Sequence, residues 1–140
     1  MNPIPYLLDT GPLVALLNKN DRHHEQAKKV FSQVAPPFIT CEAVISEACF
    51  LVSRYHPEAA QEILSWGMKK VFTLPFQAEN HLSFLAKTLK KYADVPASFA
   101  DACLIQCASL YKTPHIATFD SDFTIYRWGK NEHFQIINGE

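Results

Sequence analysis

Four carboxylates stand singly in this chain inside apolar stretches that hold no basic residue. The stretches are Tyr6-Leu7-Leu8-Asp9-Thr10-Gly11, Val44-Ile45-Ser46-Glu47-Ala48-Cys49, Ser98-Phe99-Ala100-Asp101-Ala102-Cys103 and Ile116-Ala117-Thr118-Phe119-Asp120. Residues 1–18, 41–53, 93–111 and 113–126 contain neither Lys nor Arg. An ionised carboxylate in apolar surroundings is costly, and it shifts its pKa or finds a partner. Salt bridges within these stretches cannot provide one. The economical solution is a fold in which Asp9, Glu47, Asp101 and Asp120 meet and share a divalent cation. That makes the chain an enzyme candidate.

At 140 residues, with 48% hydrophobic and 19% charged side chains, the chain reads as one globular domain, residues 1–140, rather than a disordered segment. No stretch reaches the roughly 18 apolar residues of a membrane span, and Met1-Asn2-Pro3-Ile4-Pro5 lacks the basic start of a secretory leader. The expectation is a cytoplasmic protein. Cys41, Cys49, Cys103 and Cys107 fit that compartment as small core hydrophobes, since no C-x-x-C or close His pair accompanies them. Net charge is −1. Set aside the four acids and Asp122, however, and the 13 Lys and Arg outnumber the remaining Asp and Glu, which allows contact with a phosphate backbone.

Periodicity and punctuation predict alternating strands and helices. Ile4 to Leu8 reads as a buried strand, followed by a short helix from Leu13 to Leu17. Asp21 is positioned to cap a helix from about His23 to Val34. Phe38-Ile39-Thr40 is the next strand, and Thr40 caps an apolar helix reaching Tyr55. Pro57 suits the first position of a helix ending near Met68, and Val71 to Leu74 is strand. Gln77 to Tyr92 is amphipathic, with Leu82, Leu85 and Leu89 on one face. Ser98 opens a nearly all-apolar helix through about Leu110, His115-Ile116-Ala117 is strand, and Phe134 to Ile137 is a final strand. The alternation predicts an α/β domain with a mostly parallel sheet.

In such sheets the ligand crevice lies beyond the carboxyl ends of the strands. Asp9 follows the first strand and Asp120 a later one, while Glu47 and Asp101 fall on inward helix positions. Three of them have a purely local use as well. Asp9 can cap the next helix or organise a turn, Ser98 and Asp101 have capping-box spacing, and Asp120-Ser121-Asp122 can be a polar loop. Mid-helix Glu47 has no such use.

In order and spacing, Leu8-Asp9-Thr10, Ser46-Glu47, Ala100-Asp101-Ala102 and Ala117-Thr118-Phe119-Asp120-Ser121-Asp122-Phe123 together resemble PIN-domain ribonucleases. The likeness is greatest to the compact VapC-type toxins of toxin–antitoxin systems. Asp21-x-x-His24-x-x-Ala27 is a further family feature. The resemblance runs from Asp9 to Phe123 and implies a three-layer α/β/α sandwich around the parallel sheet. It also implies Mg²⁺ or Mn²⁺ held by Asp9, Glu47, Asp101 and Asp120, with Asp122 as an auxiliary acid and Thr118 hydrogen-bonding within the site. The implied reaction is endonucleolytic hydrolysis of RNA, leaving a 5′-phosphate and a 3′-hydroxyl. The implied partners are an RNA substrate, a cognate antitoxin protein and a second copy of the chain in a homodimer, with Trp66, Phe72, Phe76 and the Leu82/Leu85/Leu89 stripe as apolar material for it. Lys112, Arg127 and Lys130, which follow the acidic segments, are the expected RNA-backbone contacts.

Other readings fare worse. Asp120-Ser121-Asp122-Phe123-Thr124 matches the D-x-D-x-T of haloacid-dehalogenase phosphatases, but only 16 residues follow it. As an EF-hand the same run carries Ile125 where Gly is needed and Asn131 where Glu is needed. A histidine-driven ribonuclease would draw on His23, His24 or His81, which are expected at the surface. P-loop and nucleophile-elbow motifs are absent. A processing nuclease outside any toxin–antitoxin pair, and a PIN-like module that binds RNA or protein without cutting, are the alternatives within the family.

Overall fold

Five short strands align side by side in one parallel sheet, in the computed structural model that describes residues 4–140. Met1-Asn2-Pro3, on which part of the leader argument rests, lie outside the described residues. The strands are β1 (Leu7–Leu8), β2 (Phe38–Ile39), β3 (Phe72–Thr73), β4 (His115–Ala117) and, last in the chain, β7 (Gln135–Ile137). Their spatial order is β3-β2-β1-β4-β7, and every pairing is parallel. A separate antiparallel pair, β5 (Arg127–Trp128) and β6 (Glu132–His133), lies between β4 and β7 in sequence.

The central strands are apolar on both faces because helices cover both. Leu7, Leu8, Ile116 and Ala117 are all fully buried, as expected where a parallel sheet is sandwiched. Burying each leucine stabilises the fold by about 2 kcal/mol. Helices α1 (Thr10–Leu17) and α2 (His24–Gln33) connect β1 to β2, and α3 (Glu42–Val52) and α4 (Ala59–Met68) connect β2 to β3. These crossovers step along the sheet in one direction. The next, through α5 (Leu82–Lys91) and α6 (Phe99–Tyr111), returns past β1 to β4. Right-handed crossovers stepping in opposite directions put their helices on opposite faces. The result is the three-layer α/β/α sandwich.

That reversal creates a switch point between β1 and β4. Leu7 pairs with Ile116 and Leu8 with Ala117, and Asp9 N–H continues the ladder to Ala117 C=O at 3.0 Å. Asp9 and Thr118 therefore leave the sheet side by side, at the place where open α/β sheets bind ligands.

Several local expectations are corrected. Thr40 does not cap α3; Cys41 holds that position, and the Thr40 hydroxyl instead donates to Leu8 C=O at 2.6 Å, tying β2 to β1. Pro57 lies in the turn ahead of α4, which begins at Ala59. Gln77 to Tyr92 is a 3-10 turn (Ala78–His81) followed by α5. Within the expected dimer stripe Leu85, Phe72 and Phe76 are core residues, and only Leu82 is exposed. Cys41, Cys103 and Cys107 are buried in the core.

Candidate active site

Asp9, Glu47, Asp101, Asp120 and Asp122 line one cavity of about 450 Å³ at the switch point, together with Thr10, Gly11, Asp21, His23, Ser98 and Phe119. Asp9 and Asp101 are buried, Asp120 and Asp122 are half-buried, and Glu47 is exposed. The expectation that Glu47 points inward is thus corrected: it stands on the rim, one turn into α3. A larger cavity of about 760 Å³ adjoins this one along Glu47 and Ser98, with Cys41, Phe50, Phe76 and Phe99 in its walls. Of the four spaced acids only Glu47 reaches it, so the acid chemistry belongs to the smaller cavity.

The local uses of these acids and their convergence turn out to be the same geometry. Asp9 is the N-cap of α1: Oδ1 accepts from Thr10 N–H at 2.8 Å, and Oδ2 accepts from the Thr118 hydroxyl at 2.7 Å. Asp101 closes a capping box with Ser98 at the start of α6. Its Oδ2 accepts from Ser98 N–H at 3.1 Å and from the Tyr126 hydroxyl at 2.9 Å. Asp120 caps the 3-10 turn Ser121–Thr124, with Oδ1 accepting from Asp122 N–H at 2.9 Å. The Thr118 hydroxyl links two of the acids, since it also accepts from Asp120 N–H at 2.9 Å. N-terminal turns carry partial positive charge. Capping therefore orients three carboxylates and offsets part of their repulsion.

No basic side chain does so. Among the described residues the ion pairs are His23 with Asp21 at 3.9 Å and Lys28 with Glu25 at 3.3 Å, neither involving the five acids. Burial, opposed by the Thr118 and Thr10 hydrogen bonds and reinforced by Asp101 and Asp120, raises the Asp9 pKa to about 6. Desolvation, then Asp101 and Asp120, also raise Glu47; the Thr10 hydroxyl offsets part of this. Asp122 is raised by desolvation and by the neighbouring charges of Asp120 and Asp101. The site is a cluster of like charges awaiting a counter-charge.

The donor set suits a hard divalent cation. All donors are oxygens, and Asp101 Oδ1 and Asp120 Oδ2 accept no hydrogen bond from a described residue. The Thr10 hydroxyl is buried without a hydrogen-bond partner among the described residues. In their present orientations no three His, Cys, Asp or Glu side chains among the described residues stand close enough to clamp an ion. Mg²⁺ usually retains several waters and is bound through only a few protein carboxylates.

The expected backbone contacts are not on this cavity. Lys112 is the C-cap of α6, about 16 Å along the helix from Asp101 at 1.5 Å per residue. The Arg127 guanidinium donates to the carbonyls of Thr124, Ile125 and Tyr126. Lys130 is exposed in the turn of the β5–β6 hairpin. Asp21, His23 and Phe119 do line the cavity. The α1–α2 connection folds over the site, a long-range closure with no local signal in the sequence. Tyr126 was equally invisible, because its partner Asp101 lies 25 positions away.

A three-layer α/β fold with an acidic crevice at its switch point defines the class of this protein. Residues 6–129 match the family model of the PIN domain, and the chain belongs to that family. Among solved structures it is similar to VapC20 of Mycobacterium tuberculosis, described as a sarcin–ricin loop cleaving toxin. The TM-score is 0.77 at 23% identity, over 86% of this chain and 93% of that one. At that identity the likeness is one of fold. No curated protein matches the chain in sequence.

Proposed function

We propose that this chain is a metal-dependent endoribonuclease, and that it acts as the toxin of a toxin–antitoxin pair. The observation that carries the reading is the convergence of Asp9, Glu47, Asp101, Asp120 and Asp122 on one cavity, with none of the five in an ion pair among the described residues. Membership of the PIN family supports nuclease chemistry, and the fold shared with VapC20, a sarcin–ricin loop cleaving toxin, supports the toxin assignment.

In this reading Asp9, Glu47, Asp101 and Asp120 hold Mg²⁺ or Mn²⁺, with Asp122 as an auxiliary acid. A divalent ion bound there would neutralise the non-bridging oxygens, activate the attacking water and support the leaving 3′ oxygen. The chain's own residues prepare the site. Tyr126 and Ser98 fix the Asp101 carboxyl by Oδ2 and leave Oδ1 turned to the ligand. Thr118 fixes Asp9 against Asp120. Asp122, outside the ligand set and with a raised pKa, is the carboxylate suited to take up a proton from water.

The proposed partners are single-stranded or structured RNA, a cognate antitoxin and a second copy of the chain. Exposed apolar side chains such as Met68 and Phe50 are available to such an interface. No helix among the described residues is long and apolar enough to cross a membrane, in keeping with a proposed cytoplasmic location. A mixed RNA panel incubated with the protein tests the activity. Cleavage that needs Mg²⁺ or Mn²⁺, stops with EDTA and is lost in Asp101→Asn is the expected result. Binding without cleavage by a well-folded, metal-loaded protein would instead make the chain a non-catalytic RNA-binding module. Growth arrest on expression, relieved by Asp101→Asn, is expected of a toxin and not of a processing nuclease.

A further inference from the structure

The wall of the acidic cavity contains a flat stack of two rings. The His23 imidazole lies on the Phe119 ring, with centroids 4.5 Å apart and planes 16° from parallel. Phe119 in turn is backed by Gly11, where a Cβ would come within 3.2 Å of Phe119 Cδ2. With one face on Phe119, His23 keeps 29% of its side chain exposed and lines the cavity.

The stack is rigidly mounted. Asp21 Oδ1 accepts from His23 N–H at 2.8 Å, and His24 N–H bonds Asp21 C=O at 3.0 Å. Beside it, His24 Nδ1 lies 2.8 Å from Ala15 C=O, which pins the start of α2 to α1. Phe119 sits between Thr118 and Asp120, both in the acid network. The platform is thus preformed and directly next to the carboxylates.

We propose that His23, backed by Phe119, is a positioning residue that stacks on a nucleobase of the RNA beside the phosphodiester being cut. This rests on the ribonuclease reading given above. Flat side chains that extend a stack are the usual means of holding unpaired bases, and they tolerate any base because each has a π-face. The electrostatics favour a base over a phosphate at this spot. Among the described residues His23 is the only one lining the cavity that can carry positive charge, and the Asp21 carboxylate already lies 3.9 Å from its Nδ1. Beyond the phosphate that a bound metal would hold, the Asp21 carboxylate disfavours an anion on the His23 ring itself, whereas a neutral base is indifferent to it.

The test uses the full chain carrying Asp101→Asn, so that binding is read without cleavage, and three fluorescent eight-residue probes of equal charge. They are oligoadenylate, oligouridylate and an abasic ribose-phosphate chain. Adding His23→Ala should weaken oligoadenylate binding at least about fivefold, the factor for roughly 1 kcal/mol of lost stacking. It should leave the abasic probe unchanged, and His23→Phe should restore adenylate binding. Equal weakening on base-bearing and abasic probes, no weakening at all, or failure of all three probes to bind would overturn the proposal. If His23→Ala unfolds, comparing His23→Phe with His23→Gln decides the matter: Gln should lose the preference for bases over the abasic chain, and a retained preference would overturn the proposal. Wild-type cleavage of the RNA panel is scored separately, so loss of the ribonuclease reading and loss of the stacking role are distinguishable.

Discussion

The Tyr126 hydroxyl donates to Asp101 Oδ2 at 2.9 Å although the two residues lie on different elements, Asp101 in the first turn of α6 and Tyr126 just ahead of β5. Tyr126 is fully buried, edge-on to Tyr92 and Phe123. Burial and the adjacent Asp101 carboxylate both push its phenol pKa upward, so it stays a donor at any working pH. Its position is set by aromatic packing, and that packing fixes the Asp101 carboxyl. The core thereby dictates the direction of a site carboxylate.

Tyr126→Phe keeps the ring and removes only the donor. A hydrogen bond to a charged group contributes about 1.5–3 kcal/mol, so urea denaturation should show a loss of that order. The cleavage rate should fall further than the folded fraction, because the Asp101 carboxyl is released to rotate. Denaturation and single-turnover cleavage on the same samples check this, and an unchanged rate would mean that Asp101 is oriented by Ser98 alone.

Metal binding is read most simply by melting. A ligand that binds only the folded state stabilises it by about 2.7 kcal/mol at a hundred times its Kd. Wild type should gain stability with Mn²⁺, and EDTA should reverse the gain. Asp101→Asn removes one like charge, so its metal-free form should melt no lower than wild type, while its gain from Mn²⁺ should be clearly smaller. Equal gains in both proteins would remove Asp101 from the ligand set.

Asp9 sets a pH signature for the metal-free protein. Its carboxyl is raised from 3.8 to about 6 in the folded state, so between those values the folded chain holds a proton that the unfolded chain has released. Stability attributable to this group is fully present below the unfolded pKa and is lost as pH rises to 6, by roughly 3 kcal/mol in total. Other carboxylates titrate in the same range, so the informative quantity is the difference between wild type and Asp9→Asn. The variant should lose less stability than wild type from pH 4 to pH 6.5 in EDTA. Parallel curves for the two proteins would show that Asp9 is not desolvated.

What could be read from the sequence follows from how local each cause is. Lone acids next to turn and capping residues were legible because Asp9, Asp101 and Asp120 really do cap the elements that follow them. The apolar runs of β1 and β4 were legible because both faces of those strands are covered. Contacts set by tertiary closure were not: Thr40 spends its hydroxyl on Leu8 across the sheet rather than on a helix, and His23 meets Phe119 across most of the chain. Arg127 differs, since its guanidinium donates to three carbonyls within three residues of it. Glu47 lies mid-helix, where no cap or turn role is open to it, and its exposure depends on how α3 lies against α6.

Thr118 offers the sharpest separation of positioning from ligation. It is fully buried, donates to Asp9 Oδ2 at 2.7 Å and accepts from Asp120 N–H at 2.9 Å. Its hydrogen bond holds the Asp9 pKa below the value that burial alone would give. Thr118→Val preserves shape but leaves both partners unsatisfied, which costs about 1–3 kcal/mol per orphaned group. It should also raise the Asp9 pKa further, so that protons compete with the metal at higher pH. Residues of this kind, which orient ligands without binding the ion, typically account for ten- to a hundredfold in affinity. Calorimetric Mn²⁺ titration should therefore show at least about tenfold weaker binding at pH 6.5, a smaller deficit at pH 8, and recovery in Thr118→Ser. A deficit independent of pH, or no recovery with serine, would mean that Thr118 acts through packing and not through the proton affinity of Asp9.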